Sequence, residues 1–375
     1  MSGGPQIGLL LGGGGARAAY QVGVLKAVAE LVRQDAVNPF PVICGSSAGG
    51  INAAVVASHA LRFQEGIRRL VQVWENFEVD KVFRADGWSA LSRSSRWFLA
   101  MLTGGAGGSP KSILDVSPLR SLLEHHVVFE HIDRAIENRA LRAVCVTASS
   151  YTSGRSISFY HGVPECEDWA RARRDGVATR LGIDHLMASA AIPILFPAVG
   201  IDGQYYGDGS MRQIAPTSPA LHLGADKILV IGVRQETGPA PEEEEVDREY
   251  PGVGQIAGYI LDTLFLNSLS ADIERLERIN RTLEYVTDRD STSLRQVDTL
   301  LISPSRDLAA MAEPMYHLFP ASIRYLLAVL GARRGSGRRL MSYLLFEKPY
   351  CRALVELGYA DAMARKPEIQ RFLDA

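Results

Sequence analysis

Two short stretches set reactive side chains among glycines. Gly45-Ser46-Ser47-Ala48-Gly49 is a Gly-x-Ser-x-Gly pentapeptide. The apolar run 42–44 before it predicts a strand, and the small and apolar residues 50–57 after it predict a helix. A strand, tight turn and helix is the context in which this pentapeptide raises a serine as a nucleophile. Gly45 and Gly49 have a physical task there, because the turn leaves no room for side chains beside the serine and its strained backbone favours residues without a Cβ. Ser47 would stand at a helix N-terminus, where N–H groups and the dipole favour a developing negative charge. The second stretch is Asp208-Gly209, at the end of a predicted strand, 204–206, that returns from an Asp202-Gly203 hairpin turn. A loop acid beside a glycine is free to point at a neighbour; its plain structural use is a second turn.

A serine hydroxyl is a poor nucleophile until a base takes its proton. Histidine is the usual base, and eight are present. The chain order serine, acid, histidine would need a His after Asp208, which leaves His222 and His317. Neither has a loop context that marks it: His222 falls in a predicted helix and His317 in the helical C-terminal region. A carboxylate can act directly when held against the serine in a site with little water, since desolvation makes it a stronger base. The residues themselves leave both routes open.

A glycine-rich turn precedes the pentapeptide. Residues 7–11 predict a buried strand and 12–15 are four glycines. Tyr20, Val24, Leu25, Val28, Leu31 and Val32 then recur at helical spacing, so that with the strand at 42 they make a βαβ unit. A phosphate-binding loop would need Gly-Lys-Ser/Thr where this chain has Ala16-Arg17-Ala18. A dinucleotide fingerprint fits better: Gly13, Gly15 and Ala18 match Gly-x-Gly-x-x-Gly/Ala, and Asp35 follows at the required distance of roughly 20 residues. Against it, the ribose-binding acid belongs at the end of the next strand, which here ends in Gly45-Ser46-Ser47. An oxyanion hole uses the same bare N–H groups beside a nucleophile and is the preferred reading; a mere βα turn is the third.

The rest of the chain must position these groups. Its 375 residues, 47% hydrophobic and 22% charged, can bury a sizeable core. A formal net charge of −2 gives no bulk attraction to nucleic acid or to anionic membranes, so a membrane contact would need a local patch. Cys44, Cys145, Cys166 and Cys351 are widely spaced without metal or redox motifs, which favours a reduced, cytoplasmic compartment, with Cys44 and Cys145 buried in strands. The N-terminus lacks a signal-peptide pattern and no segment is long enough to span a bilayer, so an enzyme acting on lipid would visit the membrane peripherally. Helices are predicted at 61–77 and 113–124, strands at 141–148, 156–160 and 227–233, and an exposed polar stretch at 165–180. The aromatic and glycine-rich segment 82–110 reads as a lid or as a loop over the core. An acidic, proline-rich linker at 236–252 separates a catalytic domain, 1–235, from a mostly helical region, 253–375, packed on it, with one strand at 297–302 and a basic cluster at 332–339.

Leu10 to Val24, Gly45 to Gly49, Ser189 to Pro193 with Phe196-Pro197, and Asp208-Gly209-Ser210 stand in the order and spacing of the patatin-like phospholipases, which the chain resembles over about 6–233. The resemblance implies an α/β fold, three layers around a mostly parallel central sheet, and a Ser47–Asp208 dyad without histidine. It also implies an oxyanion hole from the N–H groups of Gly13, Gly14 and Gly15. Hydrolysis would pass through an acyl-enzyme and release fatty acid from a phospholipid, lysophospholipid or other acyl ester, with no metal or cofactor. The chain departs from the family pattern at Ala18 and Ser210, where glycine is usual; both are small. Two other readings remain: a dinucleotide-binding protein using Gly13, Gly15 and Asp35, and a non-catalytic lipid-binding scaffold.

Overall fold

The computed structural model describes residues 5–32, 38–84, 112, 114–236, 253–288, 292–329 and 337–374. The segment 85–111, Asp35, the linker from 237 to 252 and most of the basic cluster lie outside them.

Among the described residues, ten strands form one sheet. They are β1 (Ile7–Leu11), β2 (Val42–Ser46), β3 (Ala143–Ser150), β4 (Ser156–Gly162), β5 (Trp169–Arg171), β6 (Arg174–Ala178), β7 (Val199–Ile201), β8 (Gln204–Asp208), β9 (Lys227–Ile231) and β10 (Asp298–Ile302). The order is β10-β9-β1-β2-β3-β4-β6-β5, and β8 joins β3 and β7 off this path. From β10 to β3 every pairing is parallel. Such strands are covered on both faces, which is why they read as continuous apolar runs rather than alternating ones.

Successive side chains serve opposite faces. Leu9, Leu11, Ile43, Val144, Val146, Leu229 and Ile231 enter one core, and Leu10, Cys44, Cys145, Ile228 and Val230 enter the other. Helices α1 (Ala19–Leu31), α2 (Ala48–Ser58), α3 (Phe63–Glu75), α4 (Ser117–His126) and α5 (Phe129–Glu137) contribute to the first core. After α6 (Ile183–Ser189), the second face is covered by α7 (Ser218–His222) and α8 (Val253–Leu283). The result is the three-layer α/β/α architecture.

The C-terminal region continues with α9 (Leu308–Ala312), α10 (Ala321–Val329), α11 (Gly337–Leu344), α12 (Lys348–Ala364) and α13 (Lys366–Asp374). Its strand, β10, pairs with β9 and so belongs to the central sheet, while Leu354 and Val355 of α12 share the first core with α1.

Three expectations change in detail. The stretch 165–180 is not simply an exposed polar segment but carries β5 and β6, because Trp169 is buried between the rings of Tyr160 and His222 at 5.3 and 4.8 Å. The helix expected from 113 begins at Ser117, whose N–H donates to Asp115 Oδ1 at 3.0 Å. The helical region expected over 253–375 ends in three separate helices after residue 336, with Pro349 and Pro367 each in a first turn, where a missing N–H costs nothing.

Candidate active site

β1 and β2 lie side by side with Leu11 opposite Gly45. The glycine turn and the serine turn therefore leave the same carboxyl edge of the sheet from neighbouring strands, the place where open α/β sheets bind ligands. Ser47 follows β2 with φ 54° and ψ −134°, a strained conformation for a residue with a Cβ. α2 starts at once behind it, and its first turn presses on β1. A Cβ on Gly49 would lie 2.3 Å from the Leu11 carbonyl oxygen, and one on Gly45 would lie 2.4 Å from that of Gly49. The strain is held by a buried side chain, because Ser47 N–H donates to Ser189 Oγ at 2.9 Å. Ser189 Oγ in turn donates to the Thr147 carbonyl at 2.6 Å.

Asp208 arrives by the opposite route. β4 occupies one edge of β3 over Ala143–Ser149, so β8, which pairs with Ala148, Ser149 and Ser150, must use the other. That is the edge β2 occupies up to Ser46, opposite Thr147. β2 and β8 thus run toward each other along one edge of β3, and their C-terminal ends meet where Thr147 gives way to Ala148. Gly209 permits the close fit, since a Cβ there would fall 2.0 Å from the Thr147 carbonyl oxygen.

The Asp208 carboxyl has no solvent exposure. Burial pushes its pKa up to about 7, opposed by the nearby Ser47 side chain and by Ser210. Oδ1 accepts from Ser210 N–H at 2.9 Å. Oδ2 is buried without a hydrogen-bond partner among the described residues. Ser47 is thus close enough to favour the carboxylate without completing a hydrogen bond to it, as is common before substrate tightens a site.

The turn 12–15 leads into a 3₁₀ turn, Gly15–Ala18, with Gly15 at φ 53°. Two sets of contacts pin it. Trp74 Nε1 donates to Asn52 Oδ1 (2.9 Å), Asn52 Nδ2 to Gln21 Oε1 (3.0 Å) and Gln21 Nε2 to the Gly12 carbonyl (2.7 Å). On the outer side lies α11. Arg17, 4% exposed, donates from Nε to Ser342 Oγ at 2.7 Å and stacks 4.1 Å over the Tyr343 ring. A Cβ on Gly15 would lie 2.3 Å from the Tyr343 carbonyl oxygen. Ser342→Ala removes the 2.7 Å acceptor of a buried guanidinium and is expected to lower stability by about 1.5–3 kcal/mol, measured by urea denaturation; an unchanged midpoint would show that the contact holds nothing.

A pocket runs from Ser47 and Gly15 along α2, walled by Ile51, Val55, Leu70, Trp74, Leu119 and Phe346 among others. The structure thus brings together Ser47, Gly15 and the elbow glycines, with Asp208 at their base. It does not bring in either candidate histidine base, His222 or His317. His222 stacks on Trp169 on the other face of the sheet, where burial and then Arg171 and Arg174 lower its pKa to about 4. His317 lies in an exposed 3₁₀ turn, bonded to the Pro314 carbonyl. Ser189 and Gln21 fall within stretches that carry the family resemblance, but their positioning bonds, like those of Asn52 and Ser342, are not marked by any local pattern. Among the described residues no helix is long and apolar enough to cross a membrane.

A family model described as patatin-like phospholipase matches residues 9–221. No curated protein matches the sequence. Similar solved structures include VipD from Legionella pneumophila, at 12% identity and TM-score 0.37 over 99% of this chain and 67% of that one. Human GIVD cytosolic phospholipase A2 aligns at 13% identity and TM-score 0.38, over 99% of this chain and 60% of that one. The type III effector protein ExoU aligns at 16% identity and TM-score 0.30, over 91% and 77%. The chain thus spans about three fifths of the length of the human phospholipase chain.

Proposed function

The chain belongs to the patatin-like phospholipase family of lipid acyl hydrolases, and from that membership we propose that it cleaves fatty-acyl esters of phospholipids or lysophospholipids with a Ser47–Asp208 dyad. The observation that carries this reading is the end-to-end meeting of β2 and β8 along β3, which leaves a buried carboxylate with a free oxygen beside a strained serine.

Ser47 Oγ attacks the ester carbonyl carbon as Asp208 Oδ2 takes the hydroxyl proton. The carbonyl π pair moves onto oxygen, where N–H groups of Gly13, Gly14 and Gly15 receive the negative charge. Collapse breaks the ester C–O bond, and the proton on Asp208 passes to the departing alcohol. Water then attacks the acyl-enzyme by the same steps, the acid leaves, and Ser47 regains its proton from Asp208. A carboxylate can serve as base here because burial has raised its pKa toward neutrality, near the working pH where a general base is most effective. The apolar pocket beside Ser47 takes the acyl chain, and contact with the bilayer is peripheral.

The test is a fluorophosphonate probe, which reacts only with an activated serine. The wild type should be labelled and should release fatty acid from defined phospholipids or lysophospholipids, and Ser47→Ala should do neither. Equal labelling of Ser47→Ala would remove Ser47 from the chemistry. A folded but unlabelled wild type would favour the non-catalytic scaffold.

A further inference from the structure

The pocket does not stay apolar to its far end. Ala48, Ile51, Val55 and His59 line it in succession from Ser47, spaced three or four residues apart and so along one face of α2. Ser47 and His59 are twelve positions apart, a rise of about 18 Å at 1.5 Å per residue. At its far end His59, Arg69, His126 and His131 replace the aliphatic wall. His59, Arg69 and His131 also border a surface cleft lined by Arg62, Glu65 and Arg134, so the far end of the channel abuts that cleft.

The cleft is cationic. Glu65 is the one carboxylate among the residues bordering the cleft, against three guanidinium groups, and it already pairs with Arg69 at 2.5 Å and Arg62 at 3.6 Å. Burial first, and then His125, Lys81 and His59, hold the His126 imidazole below its ordinary pKa, as a positive potential would.

We infer that the acyl chain this channel takes ends in a carboxylate, about fourteen carbons from the ester carbonyl. The length follows from the geometry: a tetrahedral chain of ~1.5 Å carbon–carbon bonds advances roughly 1.25 Å per bond, so about 18 Å holds about fourteen. A methyl end would push apolar surface among hydrated cations, whereas a carboxylate would meet Arg69, Arg62 and Arg134. A phospholipid phosphate cannot be the anion recognised here while its own ester is at Ser47, because the two lie only a few bonds apart. The inference rests on the hydrolase reading and narrows it to a substrate class.

The experiment compares two series of p-nitrophenyl esters with the full chain, at concentrations below micelle formation. One series has methyl-ended acyl chains and the other ω-carboxylated chains, each from ten to eighteen carbons. The ω-carboxylated ester should be preferred in kcat/KM near fourteen carbons by about fivefold, the factor of a well-placed but partly solvated ion pair. Arg69→Glu, or Arg134→Glu from a separate helix, should reverse that ratio. A methyl-ended preference at every length, or a ratio indifferent to both variants, overturns the inference while leaving the hydrolase reading intact. Turnover of neither series overturns the hydrolase reading and this inference with it.

Discussion

Asp208→Asn is expected to lower kcat by about a thousandfold, the middle of the range for losing a positioned general base, and at the same time to make the protein more stable at alkaline pH. The opposite signs have one cause. Burial raises the Asp208 pKa from 3.8 to about 7 in the folded chain, so the folded state binds this proton more tightly than the unfolded state does. Stability from this group is therefore complete below about pH 4, falls as pH rises from 4 to 7, and is lost above 7. The full shift corresponds to at most roughly 4 kcal/mol. Asparagine cannot ionise, so the variant should match the wild type in urea denaturation at pH 4 and exceed it at pH 8. Wild-type kcat/KM should fall below about pH 7, as the carboxylate takes a proton and can no longer act as base. His222→Ala should keep most of its activity, since that ring packs on Trp169 away from the serine. A dead His222→Ala beside an active Asp208→Asn would replace the dyad with a three-residue mechanism.

Gly49→Ala should do severe harm to the fold around the site. The added Cβ would lie 2.3 Å from the Leu11 carbonyl oxygen and 2.4 Å from that of Gly12. Both are backbone atoms of a central strand and its turn, so neither can swing aside. Overpacking of this kind costs about 3 kcal/mol. Relief by separating α2 from β1 would move Ser47 away from the glycine turn, and a displacement of about 1 Å is worth ~100-fold in rate. The urea midpoint should fall, and fluorophosphonate labelling of the folded fraction should slow. Gly12→Ala is the control for stability: a Cβ there meets nothing within 4 Å, and its midpoint should shift by less than about 0.5 kcal/mol. Equal midpoints for the two variants would refute the steric argument.

The pattern Val42 to Gly49 made the elbow legible before any coordinates, because a strand, a tight turn and a helix follow one another and each has a local signature. The Asp202-Gly203 hairpin was legible for the same reason, and the structure has both residues at positive φ, 47° and 75°. The contacts between distant segments were not. Arg17 and Ser342 are 325 positions apart, and nothing near either residue announces that α11 will close over the glycine turn. The strands in 165–180 were hidden because their sheet edge is mostly solvated; only Trp169 and Gly176, which packs against its ring, are buried.

The sequence by itself determined the parts: a serine on a strained turn, a glycine-rich turn before it, and an acid beside a glycine far downstream. Each rests on backbone conformations that a few neighbouring residues impose. Only the tertiary structure decided which groups meet. Asp208 lies beside Ser47 because β2 and β8 approach from opposite directions along one edge of β3. His222 is kept away because its short helix covers the other face of the sheet. Strand order and strand direction are properties of the whole sheet, set by how all its faces are covered, and no local stretch encodes them.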